Sequence, residues 1–163
     1  MRVYVGLGSN LGDRAGFIKA AIEALARTPQ IRVLRCARLY ESAPVGVPQQ
    51  PWFLNTVIEL ETTLSPRELL ALCKEIERAL GRQPRERHGP REIDLDILLY
   101  DDLVLCEPDL ILPHPELHRR RFVLMPLLEL APHQIHPVMK QPLRQLLAWL
   151  GDPQEVNVYR DLN

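Results

Sequence analysis

Cysteine is scarce in this sequence, and long apolar runs are missing from it. The three cysteines, Cys36, Cys73 and Cys106, are odd in number and widely spaced, which fits neither a disulfide framework nor a zinc site. No apolar run approaches the roughly 20 residues of a membrane span, and no basic-then-apolar signal peptide opens the chain. These features predict a cytoplasmic protein with reduced thiols and no membrane partner.

Net charge is also nearly absent. The 20 basic and 21 acidic side chains leave a formal charge of −1 at pH 7, so the chain has no electrostatic reason to coat nucleic acid. Hydrophobic residues make up 46% of the sequence and charged residues 25%, which is ordinary globular composition. We expect one domain over residues 1–163, long enough to bury about 70% of the surface of its unfolded chain.

Apolar periodicity predicts the order β-α-β-β-α-β through residue 100. This is the order of the ferredoxin-like α+β fold, an antiparallel sheet with both helices packed on one face. Residues 101–163 are broken by proline and are predicted as a proline-rich C-terminal extension with one amphipathic helix near 143–150. The predicted strands span residues 2–8, 31–40, 52–62 and 92–100. In the last of them, the residues expected on the buried face are Ile93, Leu95, Ile97 and Leu99.

Local signals mark the start of each helix. Asp13 is the N-cap candidate of the first helix. In Ser65-Pro66-Arg67-Glu68, serine at the N-cap, proline at the next position and glutamate two further on form a capping box. Gly81 is expected to end that second helix.

Asp94 and Asp96 are the sharpest chemical feature. Side chains two apart in a strand project from the same face, with the residues about 6.6 Å apart. Two such carboxylates can share Mg²⁺, which takes a few carboxylates together with phosphate oxygens and water. A solvated polar strand face explains the pair equally well when it is considered alone.

A basic loop directly precedes this acidic pair. Residues 82–91 hold His88 and four arginines, and a second basic run follows at residues 118–121. Arginine suits bidentate recognition of phosphate, and cations beside carboxylates are what phosphoryl transfer requires. The loop arginines are Arg82, Arg85, Arg87 and Arg91.

The N-terminal glycines do not form a nucleotide-binding motif. Residues 6–12 lack the spacing of G-x-G-x-x-G and carry no G-K-[ST], so they predict a tight turn. A proline-rich loop is predicted over residues 43–51, which contain Pro44, Pro48 and Pro51. His114 lies between two further prolines, and they fix the direction of its imidazole.

Residues 87–98 resemble the signature of the 6-hydroxymethyl-7,8-dihydropterin pyrophosphokinase family. They contain Gly-Pro-Arg followed by two aspartates around one aliphatic residue, in the run Arg-His-Gly-Pro-Arg-Glu-Ile-Asp-Leu-Asp-Ile-Leu. Further landmarks bring the resemblance to roughly residues 1–150. They recur in order at residues 8–12, 40–44, 50–55, 112–115 and 120–124.

The resemblance implies a reaction and its substrates. Members of this family transfer pyrophosphate from ATP to the hydroxymethyl group of a dihydropterin and release AMP, in folate biosynthesis and with two Mg²⁺ ions. The implied partners are therefore ATP and 6-hydroxymethyl-7,8-dihydropterin, bound by a monomeric chain.

The resemblance also implies the site residues. Asp94 and Asp96 would hold both metals and, with Arg82 and Arg91, form the catalytic set. The ATP site would comprise Glu77, Arg82, Arg85, Arg91, Ile97, His114 and Arg120. The pterin would lie between Phe53 and Phe122. Its polar edge would face Ser42, Ala43, Val45 and Asn55.

Two alternative functions remain open. A Mg²⁺-dependent nuclease or another phosphotransferase would employ Asp94 and Asp96. A ferredoxin-like RNA-binding module would instead stack bases on aromatic side chains of its central strands, for which the first strand offers only Tyr4. Release of AMP, rather than of ADP or cleaved nucleic acid, separates these hypotheses.

Overall fold

A computed structural model describes residues 1–46, 49–151 and 154–162. Pro48 of the predicted proline-rich loop lies outside the described residues. No helix in the described ranges is long and apolar enough to cross a membrane. In chain order the elements are β1 (Arg2–Ser9), α1 (Arg14–Ala26), β2 (Ile31–Cys36), β3 (Leu39–Ser42), β4 (Phe53–Thr62), α2 (Pro66–Ala79), β5 (Asp94–Tyr100), β6 (Leu105–Glu107), β7 (Leu110–Leu112), a 3₁₀ turn (Leu117–Arg119), α3 (Arg121–Leu130), α4 (Leu143–Trp149) and β8 (Val156–Arg160).

The main sheet has the strand order β5-β1-β4-β3-β8, and β2 also pairs with β4. Each of these pairings is antiparallel. The predicted ferredoxin-like β-α-β-β-α-β order is therefore confirmed, with β5 and β4 on either side of β1. A second, two-stranded sheet is formed by β6 and β7.

The second predicted strand, over residues 31–40, is wrong as a single element. Cys36 lies opposite Ile58 and Tyr40 lies opposite Asn55. The advance of four residues from Cys36 to Tyr40 thus moves the pairing by only three residues along β4, and the one extra residue interrupts the hydrogen-bond ladder. The interrupted segment still bonds to β4, because Ala37 N–H donates to the Val57 carbonyl at 2.9 Å. The result is two strands, β2 and β3, in place of one.

Helices α1 and α2 pack on one face of the sheet, as predicted. The apolar stripe of α1 packs on β1, β2 and β4, and that of α2 packs on β5. Asp13 caps α1 through a bond from Gly16 N–H, and the capping box of Ser65 and Glu68 is formed at α2. Gly81 follows α2 with a φ of +93°, which is the left-handed conformation that glycine adopts without strain.

The opposite face of the sheet is covered too. Helices α3 and α4 and the 3₁₀ turn bury a second apolar cluster against Tyr4, Val57 and Leu99. The part of the chain predicted as a proline-rich extension thus contributes two helices on this face and the edge strand β8. Because α3 covers only part of the face, a recess remains at one end of the sheet.

A bulge in β5 overturns the predicted face of Leu99. Val5 of β1 lies opposite Ile97, but Tyr4 lies opposite Leu99, so the pairing skips Leu98. One extra residue reverses the alternation of side chains beyond it. Leu95 and Ile97 therefore lie in the first core cluster, whereas Leu99 lies in the second.

The capping box yields a stability prediction. Ser65→Ala removes the oxygen that accepts from Glu68 N–H at 3.2 Å, and it should lower the free energy of unfolding by about 1 kcal/mol. Ser65→Asp retains a capping oxygen, so its free energy of unfolding should equal that of the wild type. Urea unfolding of the three proteins measures this, and equal midpoints for serine and alanine would contradict a role for the cap.

Candidate active site

The register of three central strands brings the predicted site residues into one row. Gly8 of β1 lies opposite Asn55 of β4 on one side and opposite Asp94 of β5 on the other. Gly6 lies opposite Asp96 in the next row. Directly opposed residues share a face of the sheet, so the amide and both carboxylates point to the side where α3 packs.

Gly8 is required for this row by the space around it. A Cβ atom at this position would lie 2.9 Å from Asn55 Oδ1, which is closer than real Cβ contacts. Gly6 and Gly8 both line the recess above the sheet. The two glycines thus form a floor without side chains between Asn55 and the carboxylates.

A first cavity, here called the aromatic cavity, opens over this floor with a volume of about 350 Å³. Phe53 enters it from the start of β4 and Phe122 from the first turn of α3. Buried Asn55 donates from Nδ2 to Ser42 Oγ at 2.6 Å. The remaining residues predicted for the pterin, Ala43 and Val45, line the same cavity.

A second cavity, the arginine cavity, has a volume of about 270 Å³. Its walls carry guanidinium groups from the loop after α2 and from the residue before α3, together with two imidazoles. The basic residues lining it are Arg82, Arg85, Arg87, Arg91, Arg120, His88 and His114.

The two cavities meet at the carboxylates. Asp94 and Asp96 line both of them, and so do Arg91 and Arg120. The sequence placed these acids on one strand and one face. The structure adds that they stand between a cavity suited to a flat ring and a cavity suited to phosphate.

Two arginines hold Asp94. Arg82 Nη1 lies 3.1 Å from Asp94 Oδ1, and Arg91 Nη1 lies 3.1 Å from Asp94 Oδ2. Arg82 also pairs with Glu77 Oε1 at 2.7 Å, while Glu77 Oε2 accepts from Leu95 N–H at 2.8 Å. Buried Glu77 thus anchors Arg82 to the start of β5.

Asp96 has a different electrostatic environment. Its withdrawal from water, followed by the negative charge of Asp94, raises the pKa of the Asp96 carboxyl to about 8. A divalent cation would reverse this effect by favouring the ionised form. Among the described residues, no group of three or more His, Cys, Asp or Glu side chains is placed to hold a metal ion. A pair of carboxylates such as Asp94 and Asp96 suits Mg²⁺, which needs only one or two when phosphates complete its shell.

The imidazole of His114 lines the arginine cavity as a neutral group. Burial lowers the pKa of its imidazole to about 4, with the charge of Arg120 as the next cause. Its Nδ1 accepts from Glu116 N–H at 3.1 Å, so the proton resides on Nε2. His114 N–H donates to the Leu98 carbonyl at 2.9 Å, which fixes the residue beside the β5 bulge.

Other arginines of the site also have partners. Arg85 pairs with Glu92 at 2.6 Å. The guanidinium of Arg91 lies 5.9 Å from the ring centre of Phe53, and that of Arg120 lies 5.6 Å from the ring centre of Phe122. Each of these two aromatic rings thus has a guanidinium group, which can bind phosphate, against it.

Two predicted nucleotide contacts lie away from the cavities. Ile97 is 6% exposed and packs in the first core cluster, and it lines neither the aromatic nor the arginine cavity. Glu77 stands behind Arg82 and likewise lines neither cavity. A contact of either residue with ATP stays a prediction, and the geometry gives Glu77 a supporting position.

Sequence reasoning missed Asn10, which it treated only as part of a turn. Asn10 is 1% exposed. Its Oδ1 accepts from Arg91 N–H at 2.8 Å, and its Nδ2 donates to Gln50 Oε1 and to the Pro51 carbonyl, both at 2.9 Å. One buried amide therefore ties the loop before β4 to the loop before β5. The sequence signal that could have identified Asn10 is a polar residue between a buried strand and a helix.

The ferredoxin-like sheet, the carboxylate pair and the two adjoining cavities define a phosphoryl- or pyrophosphoryl-transferase site. Comparison with known proteins specifies it further. The family model described as 7,8-dihydro-6-hydroxymethylpterin-pyrophosphokinase matches residues 4–132, most of the chain. The chain therefore belongs to this family, whose reaction transfers pyrophosphate from ATP to a hydroxymethyldihydropterin in folate biosynthesis.

Individual relatives agree with this membership. The 2-amino-4-hydroxy-6-hydroxymethyldihydropteridine pyrophosphokinase of Methylorubrum extorquens is 43% identical over 95% of this chain and 96% of its own length. The protein of the same name from Aquifex aeolicus is 46% identical over 88% of each chain. The crystal structure of wild-type Plasmodium falciparum HPPK-DHPS superposes with a TM-score of 0.72 over 90% of this chain at 15% identity. That likeness concerns the fold, and this chain spans only 44% of that structure.

The bonds of Asn10 yield a test of its role. Asn10→Ala should lower kcat/KM at least about tenfold and the free energy of unfolding by about 1–3 kcal/mol, because Arg91 N–H loses its partner. Asn10→Asp keeps the oxygen that accepts from Arg91 but cannot donate to Gln50 and Pro51. Its kcat/KM and its free energy of unfolding should therefore lie between those of the wild type and of Asn10→Ala. Steady-state kinetics and urea unfolding measure both effects. Full activity in a destabilised Asn10→Ala protein would show a purely structural role.

Proposed function

We propose that this chain transfers pyrophosphate from ATP to 6-hydroxymethyl-7,8-dihydropterin at Asp94 and Asp96. The proposal depends on one observation: two cavities of different chemistry share these carboxylates. The aromatic cavity would hold the pterin and the arginine cavity the polyphosphate. Both substrates would then meet at the acids that favour a divalent cation.

On the pterin side, Phe53 and Phe122 would stack against the ring. Asn55 and the segment of Ser42, Ala43 and Val45 would pair with its polar edge. Buried amide recognition of this kind discriminates strongly between heterocycles, because a wrong ring leaves polar groups unpaired. The 2.6 Å bond between Asn55 and Ser42 supports this role, since it orients the amide in advance.

On the nucleotide side, the arginine cavity would bind the phosphates. Arg82 and Arg91 pair with Asp94 in this structure. When ATP binds, some of their N–H groups would donate to phosphate oxygens instead. Arg120 and Arg85 would add charge, and the Nε2–H of His114 would donate to a phosphate oxygen as a neutral group. A contact of Glu77 or Ile97 with the nucleotide remains part of the proposal.

Asp94 and Asp96 would bind Mg²⁺, with two ions as the finer proposal. The bound metal would neutralise charge on the phosphate oxygens during transfer. The protein would align the hydroxymethyl oxygen with the β-phosphorus. A bond forms between those atoms, the bond from the β-phosphorus to the α-phosphate oxygen breaks, AMP leaves and the hydroxyl proton is released. Positioning and charge neutralisation would supply most of the rate enhancement.

The proposal extends to the assembly and location of the protein. The row of Asn55, Gly8 and Asp94 comes from one chain, so this row needs no residue from a partner subunit, and we propose a monomer. One sheet includes both β1 and β8, which supports a single domain over residues 1–163. We also propose that the enzyme acts in the cytoplasm without a nucleic-acid or membrane partner.

Product analysis tests this function against its alternatives. The protein, ATP, Mg²⁺ and the dihydropterin should give AMP and a diphosphorylated pterin in equal amounts. ADP with a monophosphorylated pterin would indicate a different phosphotransferase. Cleavage of added RNA or DNA without AMP formation would indicate a nuclease.

The metal assignment gives the first prediction for this reaction. Asp94→Ala or Asp96→Ala should lower turnover below about a tenth of the wild-type rate at saturating Mg²⁺, because a ligand of the charge-neutralising cation is lost. Asp102→Ala, an exposed aspartate just beyond β5, is the matched control and should keep full activity. Removal of Mg²⁺ with EDTA should abolish turnover in every protein. A wild-type rate in either site variant would refute the assignment.

The second prediction concerns substrate recognition. Asn55→Ala should weaken pterin binding by about 1–3 kcal/mol, because polar groups of the ring lose their partner. Affinity for a non-hydrolysable ATP analogue should change by less than about twofold, since Asn55 lines only the aromatic cavity. Separate calorimetric titrations measure the two affinities. Equal losses for both ligands would assign Asn55 a general structural role.

A further inference from the structure

The wall of the aromatic cavity includes a residue from the far end of the chain. Strand β8 pairs antiparallel with β3, and Val156 lies opposite Ser42. The contact continues beyond both strands, because Ala43 N–H donates to the Glu155 carbonyl at 3.0 Å. The C-terminal segment therefore reaches the backbone that precedes the proline-rich loop.

Gln154 provides the side chain at this junction. Its Nε2 donates to the Ala43 carbonyl at 2.7 Å, so the segment from residue 154 to 155 holds both backbone polar groups of Ala43. The half-buried Gln154 side chain also lines the aromatic cavity together with Asn55. A single amide thus contacts the cavity and fixes the main chain that forms its wall.

The location of Ala43 makes this contact important. Ser42, directly before it, is 1% exposed and accepts from the Asn55 amide. Val45, two residues further on, is exposed and lines the cavity. Ala43 is therefore the point at which the chain passes from the sheet into the loop. A peptide carbonyl held by a hydrogen bond there has a defined direction.

We infer that Gln154 is a positioning residue for the pterin site. Its amide orients the Ala43 carbonyl and thereby the backbone of residues 42–45 against the polar edge of the pterin. This inference rests on the proposed function, because it takes the aromatic cavity to be the pterin site. It assigns part of substrate recognition to the segment that leads into β8, outside the signature and landmarks that carry the family resemblance.

Two variants separate this role from bulk packing. Gln154→Ala removes the amide, and Gln154→Glu keeps its shape but removes the donor to Ala43. Both should raise the Kd and the KM for the pterin roughly five- to tenfold, as expected for a misaligned polar contact. The Kd for a non-hydrolysable ATP analogue and kcat at saturating pterin should each stay within about twofold, because Gln154 is not among the residues that line the arginine cavity.

Asn157→Ala is the matched control. Asn157 is an exposed amide on β8 that donates to the Glu155 side chain at 2.9 Å, and its loss should leave both Kd values and the melting temperature unchanged. Calorimetric titration, steady-state kinetics and thermal unfolding of the four proteins complete the experiment. Pterin-specific weakening in both Gln154 variants supports the inference.

The other outcomes overturn it. If the wild type binds the pterin and the Gln154 variants match it, the positioning role is wrong while the proposed function stands. If both variants lose affinity for pterin and ATP analogue alike, with a lowered melting temperature, Gln154 only supports the fold. If the wild type binds no pterin, the proposed function fails, and this inference fails with it.

Discussion

The whole site depends on the pairing of β1 with both β4 and β5. This register places Asn55, Gly8 and Asp94 in one row across three strands, which spans roughly 10 Å at the usual strand spacing. Glycine in the middle position keeps the row intact, because a side chain there would displace the Asn55 amide. A shift of one residue in either pairing would turn the amide or the carboxylates to the opposite face. The proposed pterin site and the proposed phosphate site are therefore joined through backbone hydrogen bonds.

Charge compensation explains how so many ionised groups share one recess. Arg82 and Arg91 hold the two oxygens of Asp94, and Glu77 holds Arg82 from behind. These four partly buried side chains therefore balance one another's charge, which lowers the cost of withdrawing them from water. In the proposed reaction the same pairs would exchange partners, with the guanidinium groups turning to phosphate and the carboxylates to a cation. Binding of polyphosphate with Mg²⁺ would then replace one balanced arrangement by another.

Features with local sequence signals could be predicted, whereas those that depend on distant contacts could not. The Ser65 cap and the face shared by Asp94 and Asp96 follow from neighbouring residues alone. The bulge at Leu98 and the break at Ala37 arise from pairing with other strands, and nothing local marks them. That the remaining site residues lie together could be predicted only from the family resemblance. Asn10 and Gln154 escaped notice because their importance lies in hydrogen bonds to loops far along the chain.

The central claim is that the two cavities hold the two substrates on either side of Asp94 and Asp96. A crystal structure with a non-hydrolysable ATP analogue, Mg²⁺ and 6-hydroxymethylpterin tests it most directly. The account predicts the pterin ring between Phe53 and Phe122, the triphosphate among Arg82, Arg91 and Arg120, and the hydroxymethyl oxygen about 3–3.5 Å from the β-phosphorus. A pterin bound outside the aromatic cavity, or a β-phosphorus remote from both carboxylates, would contradict it.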